Sequence, residues 1–171
     1  MRQRLRKRLF LIYLLCAAAG VAAYVFLSIN TKWTLFPYTK SLNLLFGFHF
    51  YFTDAAYEAA GSSLVISKTC SGINLFFSLY VILIAGFLHR FTGTGKKLAA
   101  ALVSFVTAIF TAYVFTLVRI IISLPLIDSP HFKLIHTAMS LCVFFGAGLL
   151  VYLATQKITG RFHHGIQQKT V

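Results

Sequence analysis

Three side chains able to do chemistry stand at the edges of apolar runs. They are Cys70 in "SKTCSGINLFFSLY", Arg119 in "TAYVFTLVRIIISLPL" and His136 in "KLIHTAMSL". A cysteine attacks as its thiolate, and a nearby cation or imidazole lowers the thiol pKa from about 8.5. An imidazole can take that proton and return it to a leaving amine. A permanently charged guanidinium can stabilise the thiolate or the oxyanion of a tetrahedral intermediate. Ser71 and Gly72 follow the cysteine directly; the glycine lets a peptide backbone approach, and the serine is placed to cap the helix that begins there.

Positioning these groups together requires helices that cross a bilayer. The chain has 171 residues, 58% hydrophobic and only 11% charged, with 18 phenylalanines, a composition that belongs to an integral membrane protein. A hydrocarbon core about 30 Å thick needs about 20 apolar residues per helix. Residues 9–29, 72–88, 98–125 and 134–154 meet or approach that length, so the expected fold is all-α: one integral membrane domain over 1–171, a polytopic bundle of four spans. A weaker stretch, 35–52, is interrupted by Pro37, Lys40, Asn43 and His49 and is rich in aromatics. It is expected to be interfacial or re-entrant. The opening "MRQRLRKR" imitates a signal peptide, but the apolar run behind it continues to Ile29, about 21 residues against the 7–15 of a cleavable core. An uncleaved anchor is expected.

Basic residues set the expected orientation. Arg2, Arg4, Arg6, Lys7, Arg8, Arg90, Lys96, Lys97, Lys157, Arg161 and Lys169 fall on one side of these spans. Only Lys32, Lys40, Lys68 and Lys133 fall on the other, with all three acids, Asp54, Glu58 and Asp128. The bias places both termini in the cytoplasm. The net charge of +13 is then a topology signal and an attraction to anionic lipid, rather than a nucleic-acid footprint, for which no basic face with interleaved stacking aromatics exists.

Several other chemistries fit poorly. "HRFTGTGKK" lacks the G-x-x-x-x-G-K-[ST] spacing of a phosphate loop and reads as a basic turn. Cys16 and Cys142 lie midway along their runs as packing residues, and without a C-x-x-C a thiol oxidoreductase is poorly supported. No acid lies within a span and no pair of broken helices is evident, which disfavours a transporter. No metal ligand set and no cofactor are expected.

Depth decides what Arg119 is for. Counted from Leu98, it lies about 32 Å along a helix that rises 1.5 Å per residue, at the far edge of the hydrocarbon. Cys70 and His136 sit at the same boundary on the helices before and after it. Taken singly, each has a bland account: a snorkelling arginine, a solvated helix-end histidine, an incidental cysteine. His49 and His131 share the extracytoplasmic side with less fixed positions, and His89, His163 and His164 are cytoplasmic in this topology. Taken together, the thiol, guanidinium and imidazole suit a membrane cysteine peptidase or transpeptidase. The competing reading is a small non-enzymatic scaffold or accessory subunit anchored by its boundary residues.

The order of "TCSGIN", "TLVRII" and "KLIHTAMS" on successive helix ends resembles the exosortase/archaeosortase family, and the short length resembles its compact exosortase K branch. The resemblance spans roughly Cys70 to Leu150. It implies Cys70 as nucleophile, Arg119 as electrostatic partner and His136 as acid and base. It further implies substrates that are membrane-anchored proteins bearing a C-terminal sorting signal, namely a short motif, a transmembrane helix and a basic tail, transferred to an acceptor through a Cys thioester. In two respects the chain departs from the family: Thr116 stands where members commonly carry asparagine three residues before the arginine, and typical members have several more helices.

Overall fold

The computed structural model describes residues 2–88, 91 and 93–167, with the side chains of 2–9, 155 and 158–167 excepted. His89, Arg90 and Lys169 lie outside the described residues, as do the side chains of Arg2, Arg4, Arg6, Lys7, Arg8, Arg161, His163 and His164. Among the described residues five α-helices run in the order α1 (Arg2–Ile29), α2 (Thr31–Phe46), α3 (Ile73–Phe87), α4 (Thr94–Ser123) and α5 (Phe132–Gln167). Helix accounts for 78% of the chain, so the bundle is all-α in class. Among the described residues four segments are long and apolar enough to cross a membrane: Phe10–Ile29, Lys68–Phe87, Thr94–Leu126 and Phe132–Ala154. The protein is therefore a multi-pass membrane bundle. The helices α1, α4 and α5 extend beyond the apolar runs because flanking polar and basic residues continue the backbone hydrogen bonding outside the hydrocarbon.

Helix α3 is the hub, packed against α1, α4 and α5. Its buried Leu75, Phe76, Leu79, Tyr80 and Leu83 meet Ala108 and Ala112 of α4 and Ala147 of α5. The buried face of α4 carries Ala101, Ser104, Ala108, Ala112 and Thr116, one small residue per turn. Lipid supplies no hydrophobic drive between helices, so close approach of backbones across small residues is what holds such a face.

The connection between α1 and α3 holds the stretch expected to be interfacial or re-entrant. Residues 35–52 are divided between helix α2 and the start of a three-stranded antiparallel sheet, β1 (Phe50–Thr53), β2 (Ala56–Ala59) and β3 (Val65–Ile66), in the order β1-β2-β3. Helix α2 ends at Gly47, whose positive φ of 72° turns the chain while its N–H caps Asn43. Thr53 pairs with Ala56, so Asp54 and Ala55 form a two-residue hairpin turn, both with positive φ. One face of α2 (Leu35, Tyr38, Leu42) packs on Tyr57, Ala59, Leu64 and Ile66 of the sheet region and on Ile120 of α4, forming a cap over the end of the bundle where Cys70 lies. Burying a side chain the size of Leu35 or Leu42 contributes about 1.5–3 kcal/mol relative to water.

Candidate active site at the cap and bundle junction

Cys70 closes a single 3-10 turn (Lys68–Cys70) between β3 and α3, and its N–H donates to the Ser67 carbonyl at 2.9 Å. The chain then reverses into α3 through Gly72, which has φ +67° and sits against Thr116; a Cβ there would run into the Thr116 hydroxyl. Only glycine fits, both by conformation and by space. Thr116 is thus fully buried and holds the turn beside Cys70. Tyr38 secures the other side: its O–H donates to the Ser71 carbonyl at 2.9 Å. Burial pushes the Tyr38 phenol up to about 12, opposed by its hydrogen bond with Thr116 and by the Arg119 charge, so it remains a donor at any physiological pH.

Ser71 does not cap α3, contrary to expectation. Its backbone N–H closes the 3-10 turn on Lys68, Gly72 occupies the cap position, and no side chain satisfies the first turn of α3.

The three reactive residues meet at the same junction. Cys70 and His136, both half-buried, line one cavity of about 160 Å³ together with Ser123, β3 and the turn after α4. Arg119 reaches in from α4 on the adjoining side. Its Nη2 donates to the carbonyl of Thr69, the residue before the cysteine, at 3.4 Å, and its Nη1 donates to Ser140 Oγ at 3.2 Å. Arg119 therefore lines the neighbouring cavity, with Ser71 and Gly72, rather than the one that holds Cys70 and His136. Ser71 and Gly72, expected at a substrate-binding position, are on this second side of the turn as well.

Two serines that sequence reasoning did not single out connect Arg119 to His136. Ser140 Oγ accepts from Arg119 and donates to the His136 carbonyl at 2.6 Å. Ser123 Oγ donates to the Arg119 carbonyl at 2.8 Å and stands 3.2 Å from His136 Nδ1. A hydroxyl has one proton, and that of Ser123 is engaged with Arg119, so Nδ1–H is the donor to Ser123. Neutral His136 is then the Nδ1–H tautomer, and Nε2 carries the lone pair available as a base. Spacing gave a signal for both serines: Arg119 and Ser123, like His136 and Ser140, are four residues apart and share a helix face.

No carboxylate lines either cavity. Ser63 Oγ donates to Asp128 at 3.1 Å, pinning the loop before β3 to the α4–α5 connection at the edge of the Cys70 cavity. The three cysteines are free; Cys16 is buried, Cys142 lies on an exposed helix face, and Cys70 shares its cavity with the His136 imidazole. Among the described residues no group of three histidine, cysteine or acidic side chains is placed to hold a metal. No family model, curated protein or solved structure matches the chain.

Proposed function

We propose that this protein is an exosortase-like membrane cysteine peptidase or transpeptidase, acting at the extracytoplasmic boundary of a bacterial inner membrane with both termini in the cytoplasm. The observation that carries this reading is the shared cavity of Cys70 and His136, with Arg119 bound to the carbonyl next to the nucleophile. His136 Nε2 takes the Cys70 proton, and the thiolate attacks the scissile carbonyl to give a tetrahedral oxyanion. Arg119 supplies the positive potential at this junction, uncompensated by any lining carboxylate. Collapse breaks the C–N bond, the imidazolium returns its proton to the leaving amine, and a thioester remains on Cys70. An acceptor nucleophile, or water, then attacks the thioester with His136 as base, and the thiol is regenerated.

The substrate class is membrane-anchored protein with a C-terminal motif, a transmembrane helix and a basic tail. The helix would lie in the bilayer beside the bundle, bringing the motif to the level of Cys70. The deciding experiment co-expresses such a protein with this chain and follows its size. Conversion to a shorter species that requires Cys70 supports the enzyme; unchanged size with wild-type and Cys70→Ala protein alike would leave a non-enzymatic scaffold as the reading.

A further inference from the structure

The second cavity, about 500 Å³ and on the far side of the Cys70 turn from His136, gathers cationic and N–H donors and no carboxylate. Arg119 Nε is buried and unpartnered. Lys68 lines the same space, and Asn74 contributes an amide whose oxygen is already engaged by Tyr24 at 3.2 Å. The first turn of α3 faces this cavity without a side-chain cap, its first helical bond being Phe76 N–H to Gly72. Two formal cations, an amide and free backbone N–H groups converge with no lining carboxylate, at a membrane boundary where an uncompensated arginine is costly. That is an anion site by charge complementarity.

What lies below it identifies the kind of anion. A further cavity of about 420 Å³ continues from the first along the seam between α3 and α5, sharing Leu75 and Phe144 with it, and another of about 410 Å³ opens beside them between α1 and α3, with Phe144 at its edge. The floor of this furrow is set by Asn74, Ser78 and Ile82 on α3 and by Phe144, Gly148 and Tyr152 on α5, each set spaced four residues apart. From Ser140 to Tyr152 the track is about 18 Å long at 1.5 Å per residue, close to half of a hydrocarbon core about 30 Å thick. A polar, cationic head and an apolar tail one leaflet deep match an amphiphile. We propose that this furrow binds one anionic phospholipid, its phosphate on Arg119, Lys68 and the start of α3, and one acyl chain along α3 and α5 past Gly148. The site stands whether or not Cys70 cleaves peptides, because none of its contacts uses the Cys70 cavity.

The test is lipid retention by the full-length protein purified in detergent, read by native mass spectrometry after delipidation and titration with phosphatidylglycerol. Wild-type protein is expected to hold one molecule per chain that survives detergent exchange and is not displaced by millimolar inorganic phosphate. Lys68→Ala and Arg119→Gln should each weaken retention about tenfold, the scale of one charge-assisted contact. Gly148→Leu, which fills the track where a Cβ would meet only Ile82 at 3.8 Å, should weaken long-chain phosphatidylglycerol while sparing a short-chain analogue with the same head. Each variant's helical content by circular dichroism separates lost binding from lost folding, and Lys68, exposed, provides a variant that preserves the bundle. Equal retention by wild type and both charge variants would mean annular lipid and overturn the proposal. Displacement by inorganic phosphate, with Gly148→Leu indifferent to chain length, would mean a free-anion site and overturn it equally.

Discussion

Ser123 Oγ lies 3.2 Å from Nδ1 of His136 while giving its own proton to the Arg119 carbonyl. The histidine tautomer is thus set from the helix that carries the arginine. Ser123→Ala should leave His136 free to adopt either tautomer and lower the rate of substrate processing on the order of tenfold, a fraction of what general acid–base catalysis contributes. Ser123→Thr, which keeps the hydroxyl, should restore it. Nitrogen chemical shifts of His136 provide the check: an unchanged tautomer in Ser123→Ala would remove the serine from the mechanism.

Cys70→Ala, Arg119→Ala and His136→Ala should each abolish processing with membrane levels intact, and double variants should lose nothing further, because the groups act as a unit. Cys70→Ser should also be largely inactive, a hydroxyl being much the weaker nucleophile near neutral pH. Arg119→Lys should fail too, since one ammonium cannot reach both Thr69 and Ser140 in the fork geometry that Arg119 uses. The ratio of precursor to product measures all of these, and full processing by Cys70→Ala would end the enzyme reading.

A membrane-impermeant alkylating reagent should label Cys70 near neutral pH, and more slowly after Arg119→Ala. Cys16, buried, and Cys142, exposed on a helix that crosses the hydrocarbon, should label little. A reporter after Val171 should be cytoplasmic and a tag near Asp128 external. An internal tag at Asp128 would place Cys70 on the cytoplasmic side.

Gly72→Ala should destabilise the protein by about 2 kcal/mol or more, from a left-handed backbone and a clash in a packed interior. Thr116→Ala in the same chain should recover only part of this, because it removes the clash with Thr116 and leaves the positive φ. Thermal unfolding in detergent measures both; a fully rescued double variant would show that the backbone conformation costs nothing.

The Tyr38 phenol, raised from 10 to about 12 in the folded protein, stabilises the fold fully below the unfolded value near 10. That contribution is lost as pH rises through the folded value. Tyr38→Phe should remove this alkaline loss and should cost about 1–2 kcal/mol at neutral pH by leaving the buried Ser71 carbonyl without its donor. Unfolding curves at pH 8 and above distinguish the two effects. A wild-type alkaline profile unchanged in Tyr38→Phe would assign the loss to another group.

Four apolar runs determined four spans, because bilayer thickness fixes helix length and leaves little room for alternatives. The same arithmetic placed Cys70, Arg119 and His136 at one depth. The cap was less legible. The stretch 35–52 reads only as an interfacial or re-entrant segment, and its division into helix α2 and strand was not legible, because Phe50–Thr53 and Ala56–Ala59 are short strands selected by the packing of their apolar faces on α2. Depth also could not reveal azimuth. Whether a residue at a given level faces its partners depends on how α3, α4 and α5 rotate against one another, which is decided by the small-residue face of α4 and by Gly72 against Thr116. That rotation puts Cys70 with His136 in one cavity, leaves Arg119 lining the next, and recruits Ser123 and Ser140 between them. Sequence fixes how deep a side chain sits in a membrane because depth is counted along one helix. Which side chains touch is a property of several helices at once, and only their packing decides it.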